Sequence, residues 1–301
     1  MLFFTVFFPV EEIRVVGASH YTDEELIDAT EIQIGDKLLR VPFGEIEGNL
    51  LEKYPYLDTV KVRWKLFPTA VEVDVTECEP IAAVEEDGQY VLITLEGKVL
   101  ERGFFILPSN VLLFRGIDIS EKEPGEYVGT WKAETAKEEE TPEEKAERQE
   151  RNELAEAHAE EEADALMMLR YLLEAVEETG IGEVTNLNRV NRYSMEVMYE
   201  NRMLLQLGSV LELPYKLRYA KEIMDNRLHP DAHGILNLAE ASRTSQVTYT
   251  PAEGYRRDDG SPLSEPPYRS DVQPEEGTPT LGMSESVEPG EDTGDELAEA
   301  G

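Results

Sequence analysis

Acidic charge is segregated along this chain, and the segregation limits which parts of it can build a core. The formal net charge is -36 over 301 residues. Residues 117–163 carry 17 acidic and 6 basic side chains, and residues 251–301 carry 14 and 3, so each segment stands at -11. Both are poor in aromatics and rich in Glu, Pro, Gly and Ser. Segments of that kind bury too little apolar surface to offset the entropy of ordering the chain. Residues 164–250, with 12 acidic and 9 basic side chains, are nearly balanced. Folded structure is therefore expected between the two acidic segments and ahead of the first. The same acidity argues against a nucleic-acid partner, where phosphate neutralisation by Lys and Arg dominates affinity. No basic patch is present.

Cysteine and histidine usage narrows the chemistry. Cys78 is the only cysteine, which excludes an intramolecular disulfide and a multi-cysteine metal site. Its neighbours Glu77 and Glu79 disfavour a thiolate. His229 and His233 have metal-like spacing with Asp231 between them, but Pro230 argues against one helix carrying both, and a third ligand is missing. No glycine-rich phosphate loop or nucleophile elbow is present. Neither a metal, a cofactor, a small-molecule substrate nor an enzyme is expected.

The apolar run Met1–Phe8 falls far short of the ~20 residues that span a bilayer. It also lacks the basic start and small-residue cleavage site of a signal peptide. It reads as the remnant of a membrane helix. A strand follows over Val10–Val16 and ends at Gly17. Thr22, with Glu25 three positions on, makes a capping box for a short helix. Phe43, Ile46, Leu50, Leu51 and Tyr54 recur at helical spacing up to Pro55. Then come two alternating runs, VKVRWKL and AVEVDV, whose valines share one face while Lys, Arg, Glu and Asp share the other. The expected register sets Leu66 opposite Val71, Lys65 opposite Glu72 and Arg63 opposite Asp74, with Phe67–Ala70 as the loop. The order is β-α-α-β-β, a small sheet with two helices over its apolar face.

Beyond Pro80 the reading is of short strands at Ile81–Val84, Tyr90–Thr94, Lys98–Leu100 and Val111–Phe114. A helix follows around Leu166–Val176, then a hairpin formed by Tyr193–Tyr199 and Met203–Leu207, and a helix over Leu213–Leu228. The last strands are Gly234–Leu238 and Gln246–Tyr249. The acidic insert at about 131–162 contains strong helix formers and is expected to extend the next helix into solvent without packing. The fold class is α+β: the five-element module at 9–79, then a mostly antiparallel β domain with two helices at 80–250. Residues 251–301 are expected to form a disordered acidic tail.

Several of these residues carry a likeness in their order and spacing. They are Ile13-Arg14-Val15-Val16-Gly17, Thr22-x-x-Glu25-Leu26, Ile34-Gly35-Asp36-Lys37-Leu38, Tyr54-Pro55-Tyr56-Leu57, Phe67-Pro68-Thr69 and Glu79-Pro80-Ile81-Ala82. Together they resemble the POTRA domain of the bacterial FtsQ/DivIB cell-division family. Tyr90–Ile93 with Glu96-Gly97-Lys98, and later Gly234–Leu238 with Val247-Thr248-Tyr249, resemble that family's β domain. Two departures stand out: Thr94-Leu95-Glu96-Gly97 lacks the usual Asp before the turn, and Asn237-Leu238-Ala239 stands where Asp-Leu-Arg is common.

The resemblance implies a non-enzymatic, single-pass protein of the cytoplasmic membrane with its folded part outside, at the division septum. Its implied partners are the membrane-anchored proteins FtsL and FtsB/DivIC. It implies recruitment by strand addition at an open edge over Gln246–Thr250. Val247, Thr248 and Tyr249 are then the partner-binding residues, and Arg192 is a candidate for a rim ion pair. The alternative is a POTRA adaptor for outer-membrane protein assembly or secretion, but such modules come in tandem ahead of a many-stranded barrel.

Overall fold

The computed structural model describes residues 8–66, 69–136, 140–228, 232–244, 246–252 and 285–287. They fall into two compact units, one of residues 1–111 with 118–163, the other of residues 112–117 with 164–301.

The first unit opens with the β-α-α-β-β module. Strands β1 (Glu12–Val16), β2 (Leu57–Leu66) and β3 (Thr69–Glu77) form a three-stranded sheet in the order β1-β3-β2. β1 runs parallel to β3, and β2 antiparallel. Helices α1 (Asp23–Ala29) and α2 (Phe43–Lys53) supply Leu26, Ile46 and Leu50 to a core with Val60, Val62, Val71, Val73 and Val75. Thr22 and Glu25 cap α1 reciprocally, as their spacing predicts. The observed hairpin register differs from the expected one by two residues: Leu66 pairs with Thr69 and Arg63 with Glu72. A two-residue slip keeps every side chain on its face, so the apolar pattern cannot detect it. The ion pairs Arg63–Asp74 and Lys65–Glu72 still form, now as diagonal neighbours.

Glu77, at the end of β3, organises the loop that leads into α1. Its carboxylate accepts from the Ser19 hydroxyl and from the amides of Ser19 and His20, with Tyr21 at 3.4 Å. Burial works to raise this carboxyl; the bonds from Ser19, His20 and Tyr21 outweigh it and hold the group below the usual carboxylate range. The adjacent Cys78 thiol is pushed up chiefly by burial, with Asp58 and Glu96 as the acidic contributors in place of the expected Glu77 and Glu79.

The same unit contains the antiparallel strands β4 (Ala82–Glu86), β5 (Gln89–Ile93) and β6 (Val99–Phe104). The buried Lys98 donates its Nζ to the Leu57 carbonyl at 2.7 Å and so ties this sheet to the start of β2. Helix α3 (Pro142–Thr179) begins in the acidic insert, as helix propensity predicts. The expectation that the insert stays unpacked is corrected. Ala159 and Glu162 are buried, and Glu162 accepts from the Gly129 amide at 2.6 Å and pairs with Lys122 at 3.2 Å. The pairing offsets the cost of burying an acid that composition alone assigns to solvent.

The second unit is built on strands β7 (Leu112–Arg115), β8 (Val184–Asn191), β9 (Ser194–Tyr199), β10 (Met203–Gly208), β11 (Gly234–Asn237) and β12 (Val247–Pro251). They are neighbours in the order β12-β11-β10-β9-β8-β7. Most pairs are antiparallel; β7–β8 and β10–β11 are parallel. Helix α4 (Leu213–Asn226) provides the crossover from β10 to β11, and the four-residue α5 (Ala241–Thr244) leads into β12. The sequence reading assigns no element to β8, whose VTNLNRVN carries three asparagines, a residue depleted in strands.

Met1–Phe7, the bulk of the expected membrane remnant, lie outside the described residues; Phe8 packs against the first core. No helix among the described residues is long and apolar enough to cross a membrane. Most of the tail also lies outside them. Its residues Glu285–Val287 form a strand, β13, where only disorder was expected.

Candidate partner-binding edge

β12 is held in place by a chain of ordinary packing and backbone pairing. Phe114, Leu187, Val197, Leu205, Leu236 and Tyr249 lie opposite one another, strand by strand, in one row. Paired residues point to the same face, so the row is a continuous apolar ridge. Its first five members are fully buried, and Tyr249, at the rim, is half-exposed. The Tyr249 hydroxyl donates to the His233 carbonyl at 3.0 Å. Its ring crosses Gly234, where a Cβ would lie 2.9 Å from Cε2.

Two cations fix the strands that feed this edge. Arg202, in the β9–β10 turn, donates to the Ala232 carbonyl at 3.0 Å and to Glu200 at 2.6 Å. Its guanidinium stands over the Tyr199 ring, 5.8 Å from the centroid. Burial first, and then the hydrogen bond to Glu200, push the Tyr199 hydroxyl up to about 12. Lys216 on α4 is 1% exposed, and its Nζ donates to the carbonyls of Leu207 and Ser209 at 2.8 and 2.9 Å. Burial pulls this ammonium down from its ordinary value. The two carbonyls compensate the charge and pin α4 to the end of β10.

The backbone of β12 has a definite polarity. The Ala252 amide donates to the His233 carbonyl at 2.9 Å. Amides alternate sides along a strand, so those of Thr250 and Thr248 face β11. Those of Tyr249 and Val247, with their carbonyls, face the other way. Pro251 takes the next outward position, where a missing N–H costs the β11–β12 ladder nothing.

The edge expected to be open is occupied. β13 pairs antiparallel with β12, with Val247 opposite Val287, Thr248 opposite Ser286 and Tyr249 opposite Glu285. Composition could not show this, because the tail is acidic and proline-rich throughout, and a three-residue pairing that starts 34 residues after β12 ends leaves no periodic signal.

The four residues singled out in the sequence fare differently. Val247, Thr248 and Tyr249 share β12, but the Val247 side chain is buried, so only its backbone reaches the edge. Arg192 lies in the β8–β9 turn, three strand spacings from β12, about 14 Å. It is engaged there with Asp164 and lies over Tyr193. The structure does not bring it to the edge. His229, Pro230 and Asp231 lie outside the described residues, and the His233 carbonyl serves the β11–β12 junction. Among the described residues no three His, Cys, Asp or Glu side chains gather as metal ligands.

Comparison with known proteins adds a family signal. The model of the POTRA domain, FtsQ-type, matches residues 8–77. A cell division protein FtsQ from Anaeromyxobacter sp. (strain K) is 37% identical over 93 residues, 31% of this chain and 31% of that protein. FtsQ from Streptomyces griseus is 32% identical over 88 residues, 29% of this chain and 42% of its own length. The cell division protein DivIB from Solibacillus silvestris (strain StLB046) is 26% identical over 109 residues, 36% of this chain and 37% of its own length. The matched stretches thus span between about a third and two-fifths of these relatives.

Proposed function

This chain belongs to the FtsQ/DivIB family of cell-division proteins, and from that membership we propose that it is a non-enzymatic scaffold of the division septum. In this reading it is a single-pass protein of the cytoplasmic membrane with its folded part outside, and it recruits membrane-anchored partners of the FtsL and FtsB/DivIC kind. Residues 9–79 act as the POTRA module and 80–250 as the partner-binding module.

The observation that carries the reading is the outer side of β12. Val247 and Tyr249 direct N–H and C=O groups away from β11, and a further strand pairs with them in register. A partner segment uses the same groups, which supply affinity through main-chain bonds. The half-exposed Tyr249 ring, last in the apolar row, offers the kind of rigid aromatic surface that dominates interfaces. Thr248 and Thr250 present their side chains on the opposite face. Arg192 is not required by this mechanism.

The test is photo-crosslinking of the full chain to its own organism's FtsL- and FtsB/DivIC-like proteins. Tyr249→Pro removes an outward amide without touching the β11–β12 ladder, so binding should fall. Unchanged crosslinking in Tyr249→Pro and Tyr249→Ala overturns the edge mechanism.

A further inference from the structure

We propose that the chain's own tail is a built-in competitor for the partner edge: β13 caps β12, and a partner engages only the fraction of molecules in which the tail has let go. This inference rests on the edge reading above and adds a regulator to it. The observation is the pairing of Glu285, Ser286 and Val287 with Tyr249, Thr248 and Val247. Backbone phase makes the pairing specific. The outward groups of β12 belong to Val247 and Tyr249, and these are the residues opposite Val287 and Glu285.

The tail sequence suits this role. Pro279 and Pro289 fence a proline-free stretch, 280–288, around the strand. Proline removes donors and resists extension of a ladder, so the fence confines pairing to a short segment. Val287 is one of only two valines after Pro251, the other being Val272. A capped edge is also protected from pairing with another copy, the hazard of any exposed strand.

The arithmetic favours a reversible cap. Residues 253–284 join the two strands in one chain, so the pairing is intramolecular, at an effective concentration on the order of millimolar. That suffices for a weak strand to populate the edge, while three paired residues are few enough to be displaced. Where the edge is free in only a fraction of molecules, the apparent dissociation constant rises by the inverse of that fraction. A cap closed in half to nine-tenths of molecules weakens partner binding by roughly 2–10-fold.

The experiment uses the full chain in three forms: unmodified, Glu285→Pro with Val287→Pro, and Ser286→Ala. The double proline variant deletes both tail amides that reach β12; Ser286→Ala leaves them intact. Residue-resolved hydrogen exchange should show the Val247 and Tyr249 amides exchanging about 2–10-fold faster in the proline variant. Thr248 and Thr250, which face β11, should be unchanged. A labelled peptide of residues 280–290, added in trans, should bind the proline variant about 2–10-fold more tightly than the unmodified chain. Ser286→Ala should behave as the unmodified chain in both assays. Equal exchange at Val247 and Tyr249, or equal peptide affinity, overturns the tail cap, whatever the division partners do. If the proline variant exposes the edge and binds the peptide, but the FtsB/DivIC-like segment binds neither form, the recruiter reading fails while the cap stands.

Discussion

Gly234→Ala should detach β12 from β11 while leaving the rest of the second unit folded. An alanine Cβ at this position would lie 2.2 Å from the Thr250 carbonyl oxygen and 3.1 Å from the Pro251 Cα. Both are backbone atoms, so no rotamer change relieves the clash. Restoring normal contact requires β12 to move outward by roughly 1 Å, which takes the 2.9 Å bond from Ala252 to His233 out of hydrogen-bond range. The Tyr249–His233 bond, at 3.0 Å, goes with it. Two such bonds are worth about 1–3 kcal/mol together. Over-packing against an inflexible neighbour costs a further ~1–3 kcal/mol if the strand does not move. The chain relaxes along the cheaper route, so a local loss of about 2 kcal/mol is expected, a roughly 30-fold fall in protection. The assay is hydrogen exchange of the Thr248 and Thr250 amides, compared with Leu205 and Val197 on inner strands. Loss at the two threonines with inner amides unchanged is the expected result, together with weaker partner crosslinking. Wild-type exchange at Thr248 and Thr250 would refute the steric argument and the assigned β11–β12 register.

Three further predictions concern the first unit, and each is read by urea unfolding. Gly48 lies inside α2 with nothing within 4 Å of a built Cβ, so Gly48→Ala should stabilise by about 0.5–1 kcal/mol; a loss would show a hidden packing role. Thr22→Ala removes one half of the capping box and should cost about 1 kcal/mol, whereas no change would mean that the α1 terminus is satisfied otherwise. Glu77→Gln should cost roughly 1–2 kcal/mol at pH 7, discounted for partial exposure. Because the folded Glu77 carboxyl lies below its unfolded value, its stabilisation is complete above about pH 5 and is lost as pH falls through the folded value. The variant and the parent should therefore converge in acid, and a gap that stays constant down to about pH 3 would rule out Glu77 as the cause.

Much of the first unit was legible because its signals are local. The Thr22–Glu25 box, the i, i+3, i+4 apolar positions of α2 and the alternation of β2 and β3 each act within a few residues. They fix element type and face. They do not fix register modulo two, which is why Arg63 was set opposite Asp74 and found opposite Glu72. The asparagines of β8 hid a strand for a related reason: that strand is held by neighbours, and Leu187 is the one buried apolar side chain it contributes.

The sequence by itself determined where cores form, which faces are apolar, and that the last strand of the β domain carries Val247, Thr248 and Tyr249. These follow from periodicity and charge, properties of neighbouring residues. Only the tertiary structure decided that Arg192 stands strands away from that edge, that Glu162 is buried against Gly129 and Lys122, and that residues 285–287 lie along β12. Those outcomes depend on backbone groups meeting across many residues of chain, and main-chain N–H and C=O are the same at every position, so no residue type marks where they will pair.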